Sequence, residues 1–191
     1  MSVIDAYERV TAPDSATWRA WLSSNHETSP GVWLIFYKAK SGKPSIDWGT
    51  AVDEALCFGW IDSKVVSLDE ERYEQYFTKR KPGSPWSKLN KEKIAALEAE
   101  DRLAEQGRAA IEAAKADGSW SMMDEAEALI IPDDLAELLD GSSLETFRSF
   151  SPSRQRNVLA WIVLAKREDT RTRRIQQTAE ALSRGEAPNN I

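Results

Sequence analysis

The chain has one histidine, one cysteine and no clustered metal-ligand spacing, so the chemistries that need those residues are excluded first. A histidine-based triad would have to rest on His26, which lies in the turn-like stretch Asn25-His26 to Ser29-Pro30-Gly31 with no serine or cysteine nucleophile motif beside it. A surface turn is the expected place for that histidine. Paired cysteines, HExxH and calcium-loop spacings do not occur, so no metal is expected. Neither a phosphate-cradling glycine loop nor a dinucleotide fingerprint is present, so no cofactor is expected. Cys57, in the apolar run Ala55-Leu56-Cys57-Phe58-Gly59-Trp60, cannot close an intramolecular disulfide and reads as a buried, inert thiol of a reducing compartment.

Long apolar runs are missing too. No stretch approaches the roughly 20 residues of a bilayer span, and the start MSVIDAYERV has neither the basic segment nor the apolar run of a leader. A cytoplasmic protein without membrane insertion is the expectation. Positive charge is also scarce: the formal net charge is −6, which argues against a general nucleic-acid binder, because phosphate is gathered by a positive field. The charge is uneven, with fifteen acidic against four basic residues from Glu92 to Glu145, and eight basic against two acidic from Arg148 to Ile175.

What is present suffices for a packed core: 41% of the residues are apolar and 29% charged, a mixture unlike that of a disordered chain. A strand is expected around Ala6–Val10, then a helix capped by Asp14 with Trp18, Trp21 and Leu22 on its core face. The unbroken run Val32–Tyr37 reads as a strand covered on both faces. Asp47 is placed to cap a helix with the stripe Ala51, Val52, Ala55 and Leu56, and Gly59 fits just past its end. Trp60–Val66 and Arg72–Thr78 read as a hairpin. The resulting βαβαββ order predicts an α+β fold, a small antiparallel or mixed N-terminal sheet with packed helices, continuing into a helical C-terminal half. The expected division is residues 1–84 and 85–191, sharing one core.

In the second half, Ser84-Pro85 has the form of a helix start, with helices over Trp86–Leu103 and Gln106–Ala116 punctuated by Gly107 and Gly118. Pro132-Asp133 opens a short helix, and Ser142–Ser149 forms another. Val158, Trp161, Ile162 and Ala165 mark a helix after a Ser151 cap, and Ile175, Ala179 and Leu182 mark one after a Thr170 cap. The tail Gly185–Ile191 is expected to fray.

Two cation-rich stretches carry the functional reading. In Thr78-Lys79-Arg80-Lys81-Pro82-Gly83-Ser84-Pro85-Trp86-Ser87, three cations precede an expected helix start, whose unpaired N–H groups and positive dipole end suit an anion. In Arg167 to Ile175, Arg171 and Arg174 are i, i+3 neighbours with the forked geometry that holds carboxylate or phosphate, while the acidic middle of the chain offers them internal partners. Asp53 and Glu54 read as solvated surface. Asp62, following a dense apolar run, reads as a turn or capping residue first and a binding residue second.

Ala55-Leu56-Cys57-Phe58-Gly59-Trp60-Ile61-Asp62, then Phe77 to Pro82 with Ser84, Trp86-Ser87 and Asn90, then Ala114-Lys115, Asp117-Gly118 and Trp120, and finally Ala165-Lys166, Thr170-Arg171 and Arg173-Arg174-Ile175, together resemble the YdeI/OmpD-associated, bacteriocin-protection family across nearly the whole chain. The resemblance implies a bacterial protection protein and supplies no catalytic residues. Combined with the cations, it points to a non-enzymatic stress or protection protein that binds an anionic small molecule or a partner protein. Arg80, Lys81, Ser84, Ser87 and Asn90 would donate hydrogen bonds, with Asp62 nearby; Trp60 and Trp86 would wall the pocket, and Arg171 and Arg174 would close it. Two alternatives stand beside this reading. One is an enzyme with Asp62 as general base beside Arg80, and the other a nucleic-acid contact through Arg167, Arg171, Arg173 and Arg174.

Overall fold

The computed structural model describes residues 6–188. The first five residues, part of the start MSVIDAYERV where no leader is expected, and the last three residues of the tail expected to fray lie outside the described residues. The fold is α+β, with a mixed sheet of four strands in the order β1-β2-β4-β3 formed by β1 (Arg9–Thr11), β2 (Val32–Tyr37), β3 (Trp60–Ser67) and β4 (Arg72–Lys79). β1 runs parallel to β2, and β4 pairs antiparallel with both β2 and β3.

Local sequence explains each element. α1 (Ser15–Asn25) begins where the Asp14 carboxylate accepts the Thr17 N–H at 2.8 Å, and it buries Trp18 and Leu22. Trp18 donates through its indole N–H to the Ala51 carbonyl at 3.0 Å and meets Phe77 edge-on at 5.3 Å, which fixes α1 against both α2 (Trp48–Cys57) and the sheet. β2 is an unbroken apolar run because it is a central strand, with Val32, Trp33, Leu34 and Phe36 all buried. The β3–β4 turn is organised by Asp69, whose carboxylate accepts the N–H groups of Glu71 and Arg72 at 2.9 and 2.7 Å.

The chain divides into two compact units, but elsewhere than at the change from sheet to helix. The first comprises residues up to Ser84 together with Leu89–Gly118, and the second comprises Pro85–Lys88 and the residues from Ser119 onward. α3 (Lys88–Ala99) and α4 (Glu105–Ala116) thus belong, but for Lys88, with the sheet. The physical cause is a backbone contact. Ala104 N–H donates to the Cys57 carbonyl at 3.0 Å, and a Cβ on Gly107 would lie only 2.2 Å from that same oxygen. Gly107 therefore does not punctuate a helix, as its sequence context suggests; it sits inside α4 so that the helix can press on the end of α2.

Charge reinforces the contact. Glu54, expected in solvent, is only 4% exposed and accepts from Arg19 at 2.7 Å and from Arg102 at 2.8 Å, while Arg19 also donates to the Arg102 carbonyl at 2.8 Å. One carboxylate thereby ties α1, α2 and the α3–α4 connection together. Its neighbour Asp53 pairs with Lys93 of α3 at 2.5 Å. Cys57 is fully buried and free, and burial pushes its thiol above the usual range, opposed by Arg19.

The second unit is helical: α5 (Asp124–Glu127), α6 (Asp133–Ala136), α7 (Gly141–Ser149), α8 (Pro152–Val163) and α9 (Glu168–Ser183) surround a core that includes Leu135, Phe147, Val158, Leu159, Ile162, Ile175 and Leu182. Ser151 caps α8 as the sequence predicts, but α9 starts at Glu168 with Arg167 at its cap, so Thr170 lies inside the helix. The acidic pair Glu168-Asp169 opens that helix because its N-terminal dipole end favours negative charge. The tail is not frayed as far as Pro188: Glu186 N–H bonds the Ala181 carbonyl at 2.9 Å, and Ala187 and Pro188 are buried.

Two measurements check this account. Gly107→Ala forces a methyl group into the Cys57 carbonyl and is expected to cost on the order of 3 kcal/mol in urea unfolding; an unchanged midpoint would contradict the close approach. Asp47 caps α2, and hydrogen bonds from Thr50 hold its carboxyl below the ordinary range. A depressed pKa contributes stability that is complete above the unfolded carboxylate value of about 4 and is lost as pH falls through the folded value. The Tm gap between wild type and Asp47→Asn should therefore narrow on acidification from about pH 6 to about pH 2.

Candidate functional site

The first unit contains a cleft of about 220 Å³ where four elements meet. His26 and Glu27 come from the C-terminal end of α1, Phe58 and Gly59 from the α2–β3 junction, Lys79 and Arg80 from the end of β4, and Gln106 and Ala110 from α4. The β3–β4 pairing builds one wall: Trp60 lies opposite Lys79, and Arg80 N–H donates to the Gly59 carbonyl at 3.0 Å. The approach of α4 builds the other. Gly59 has a φ of +71°, and a Cβ there would lie 2.9 Å from the Ala110 methyl and 3.2 Å from the Gln106 carbonyl. Both the backbone conformation and the space demand glycine.

The cleft carries both signs of charge. Burial lowers the Arg80 pKa to about 10, with the Asp62 carboxylate acting in the opposite direction. Lys79 donates to the Glu27 carbonyl at 2.6 Å, and Gln106 donates to the Glu27 carboxylate at 3.3 Å. His26 caps α1 and is 9% exposed, which corrects the expected surface turn. Its Nδ1 lies 2.9 Å from the Leu22 carbonyl, and its Nε2 is buried, has no hydrogen-bond partner and stands 3.7 Å from Glu27 Oε1.

The residues expected to form one anion pocket divide between the units. Trp60, Asp62, Arg80, Lys81, Ser84 and Asn90 belong to the first, and Trp86, Ser87, Arg171 and Arg174 to the second. Trp60 is fully buried and meets Trp21 edge-on at 5.9 Å. Asp62 accepts from the Trp48 indole at 3.1 Å and from the Gln75 amide, so its carboxylate is held by two N–H donors. Lys81 is exposed.

The helix start expected at Ser84 lies at Lys88 instead. Ser84 N–H closes a turn on the Lys81 carbonyl at 3.1 Å, and Gly83, at φ +70°, donates to the Asp117 carboxylate at 2.9 Å. The left-handed glycine and its anchor on Asp117 keep this stretch a loop. Asn90 sits in the first turn of α3.

In the second unit, Trp86 and Ser87 precede that helix, with the Trp86 ring 5.0 Å from Trp120. Arg171 makes two bonds of 2.9 Å to Asp134, which is the internal neutralisation that the acidic middle of the chain offered. Arg174 bonds the Trp161 carbonyl and lies over the Trp161 ring at 5.1 Å. Arg167 pairs with Asp169 at 2.6 Å.

Of the cleft residues, sequence reasoning found Arg80 and missed His26, Glu27, Gln106 and Ala110. A signal existed for the α4 pair, since a glycine within a helical pattern costs stability and so points to a packing reason, and Gly107 adjoins Gln106. For His26 and Glu27 the sequence carries none.

Residues 10–110, more than half of the chain, match the family model described as a domain of unknown function, DUF8412. Residues 128–185 match the family model described as Bacteriocin-protection, YdeI or OmpD-Associated. The resemblance read from the sequence is thus borne out for the C-terminal part, although that match does not extend across nearly the whole chain. No curated protein and no solved structure matches.

Proposed function

We propose that this chain, which belongs to the DUF8412 family through residues 10–110 and matches the YdeI/OmpD-associated family over residues 128–185, is a protection protein that works by holding a small anion in the Arg80 cleft. The observation that carries the reading is a guanidinium whose charged form burial opposes, lining a small cavity beside Lys79. At an effective dielectric constant near 20, an anion about 4 Å from one such cation gains roughly 4 kcal/mol before its own desolvation. An exposed pair typically contributes ~1 kcal/mol or less, which favours Arg80 over the solvent-facing Lys81.

Binding is the reading that the lining supports: among the described residues it sets two cations, Lys79 and Arg80, beside a small cavity. A small molecule suits the cavity volume better than a partner protein, which buries about 800 Å² on each side. Cytoplasmic residence is part of the same proposal, supported by the single free and buried thiol of Cys57.

Thermal unfolding with millimolar acetate or phosphate, at ionic strength matched with chloride, tests the reading. At ten times Kd the expected stabilisation is about 1.4 kcal/mol, a rise in Tm of roughly 3 °C. Arg80→Gln should abolish the rise, Lys79→Gln should reduce it and Lys81→Gln should leave it intact. No rise in the wild-type protein, or equal loss in Lys81→Gln, would overturn the proposal.

A further inference from the structure

The cleft is not lined by cations alone. Glu27 contributes a carboxylate on the side of His26 and Gln106, while Lys79 and Arg80 supply positive charge from the end of β4. A simple anion would gain from the two cations and be opposed by Glu27. A ligand carrying a cation a few bonds from its anion would turn that opposition into attraction.

The histidine points to the same chemistry. A backbone carbonyl can only accept, so the 2.9 Å contact with Leu22 O places the imidazole hydrogen on Nδ1. With the hydrogen on Nδ1, the neutral tautomer would present Nε2 as a lone-pair acceptor, and that atom is buried without a hydrogen-bond partner in a residue 9% exposed. A buried acceptor left unmatched is costly, and a ligand N–H would satisfy it. Glu27 Oε1, 3.7 Å from that nitrogen, is the group that would attract an ammonium. Glu27 is 72% exposed at its side chain, so it can turn toward a ligand without disturbing the core.

We infer that the ligand of this cleft is a small zwitterion of the α-amino acid class, its carboxylate facing Arg80 and Lys79 and its ammonium received by Glu27 and His26 Nε2. The inference rests on the proposed anion-binding role and adds the second half of the ligand. Phe58, Gly59 and Ala110 complete the lining with apolar or minimal side chains, which suits a short aliphatic side chain in preference to a charged one.

Calorimetric titration with matched pairs tests it: alanine against propionate, and norvaline against pentanoate, each pair differing by the amino group. The wild-type protein is expected to bind each amino acid at least about tenfold more tightly than its partner acid, the discrimination a site built for a hydrogen-bonding group achieves easily. Glu27→Gln, which keeps the side-chain size and removes the carboxylate, should weaken both amino acids and so narrow the difference, the remainder being held by His26 Nε2. Equal binding of the two members of a pair by the wild-type protein would overturn the zwitterion inference and leave anion binding standing. Binding of neither member would overturn both.

Discussion

The first unit depends on one backbone contact, the seating of α4 on the Cys57 carbonyl. That oxygen takes the Ala104 N–H at 3.0 Å and sits where a Gly107 side chain would be, so the helix comes closer than any other residue would permit. Gln106 flanks the contact and Ala110 lies one turn further along, and both are thereby brought over the Gly59 turn. The cleft follows from this geometry: loosening the seat would open the wall that Gln106 and Ala110 provide. Glu54, held by Arg19 and Arg102, fastens the same region through side chains. A carboxylate taken out of water is tolerated only with such full pairing, and two arginines supply it.

The arginines differ in what their charge meets. Arg171 and Arg167 have carboxylate partners within the chain, so their charge is largely spent on the second unit's own acidic residues. Arg174 is occupied by a carbonyl and an indole face, which makes it a fastening between α8 and α9. For Arg80, burial lowers the pKa to about 10, and the residue lines a cavity. A charge that the fold keeps at some cost, in a place a ligand can reach, is the kind of group that functional sites select.

Much of the architecture was legible because it is encoded locally. Val32–Tyr37 announced a doubly covered strand, Asp14, Asp47 and Ser151 announced helix starts by the reach of a short polar side chain, and the hairpin lay in two short β-prone runs around Asp69. The site was less legible because it is assembled from contacts far apart in sequence. His26 looked like a turn residue, but Phe58 packs against its ring at 5.2 Å and the residue is buried. Glu54 looked like surface until Arg102, 48 residues away, covered it. Ser84-Pro85 had the form of a helix start, but a loop anchored by Asp117 delays the helix to Lys88.

Amide hydrogen exchange at Ala104 tests the seating of α4 most directly, since that N–H is the donor to the Cys57 carbonyl. The account predicts exchange as slow as that of the β2 amides, because opening the contact would require the core of the first unit to open with it. Exchange as fast as that of the exposed Gly42 turn would mean that α4 is not held against α2, and the cleft would lose its physical basis.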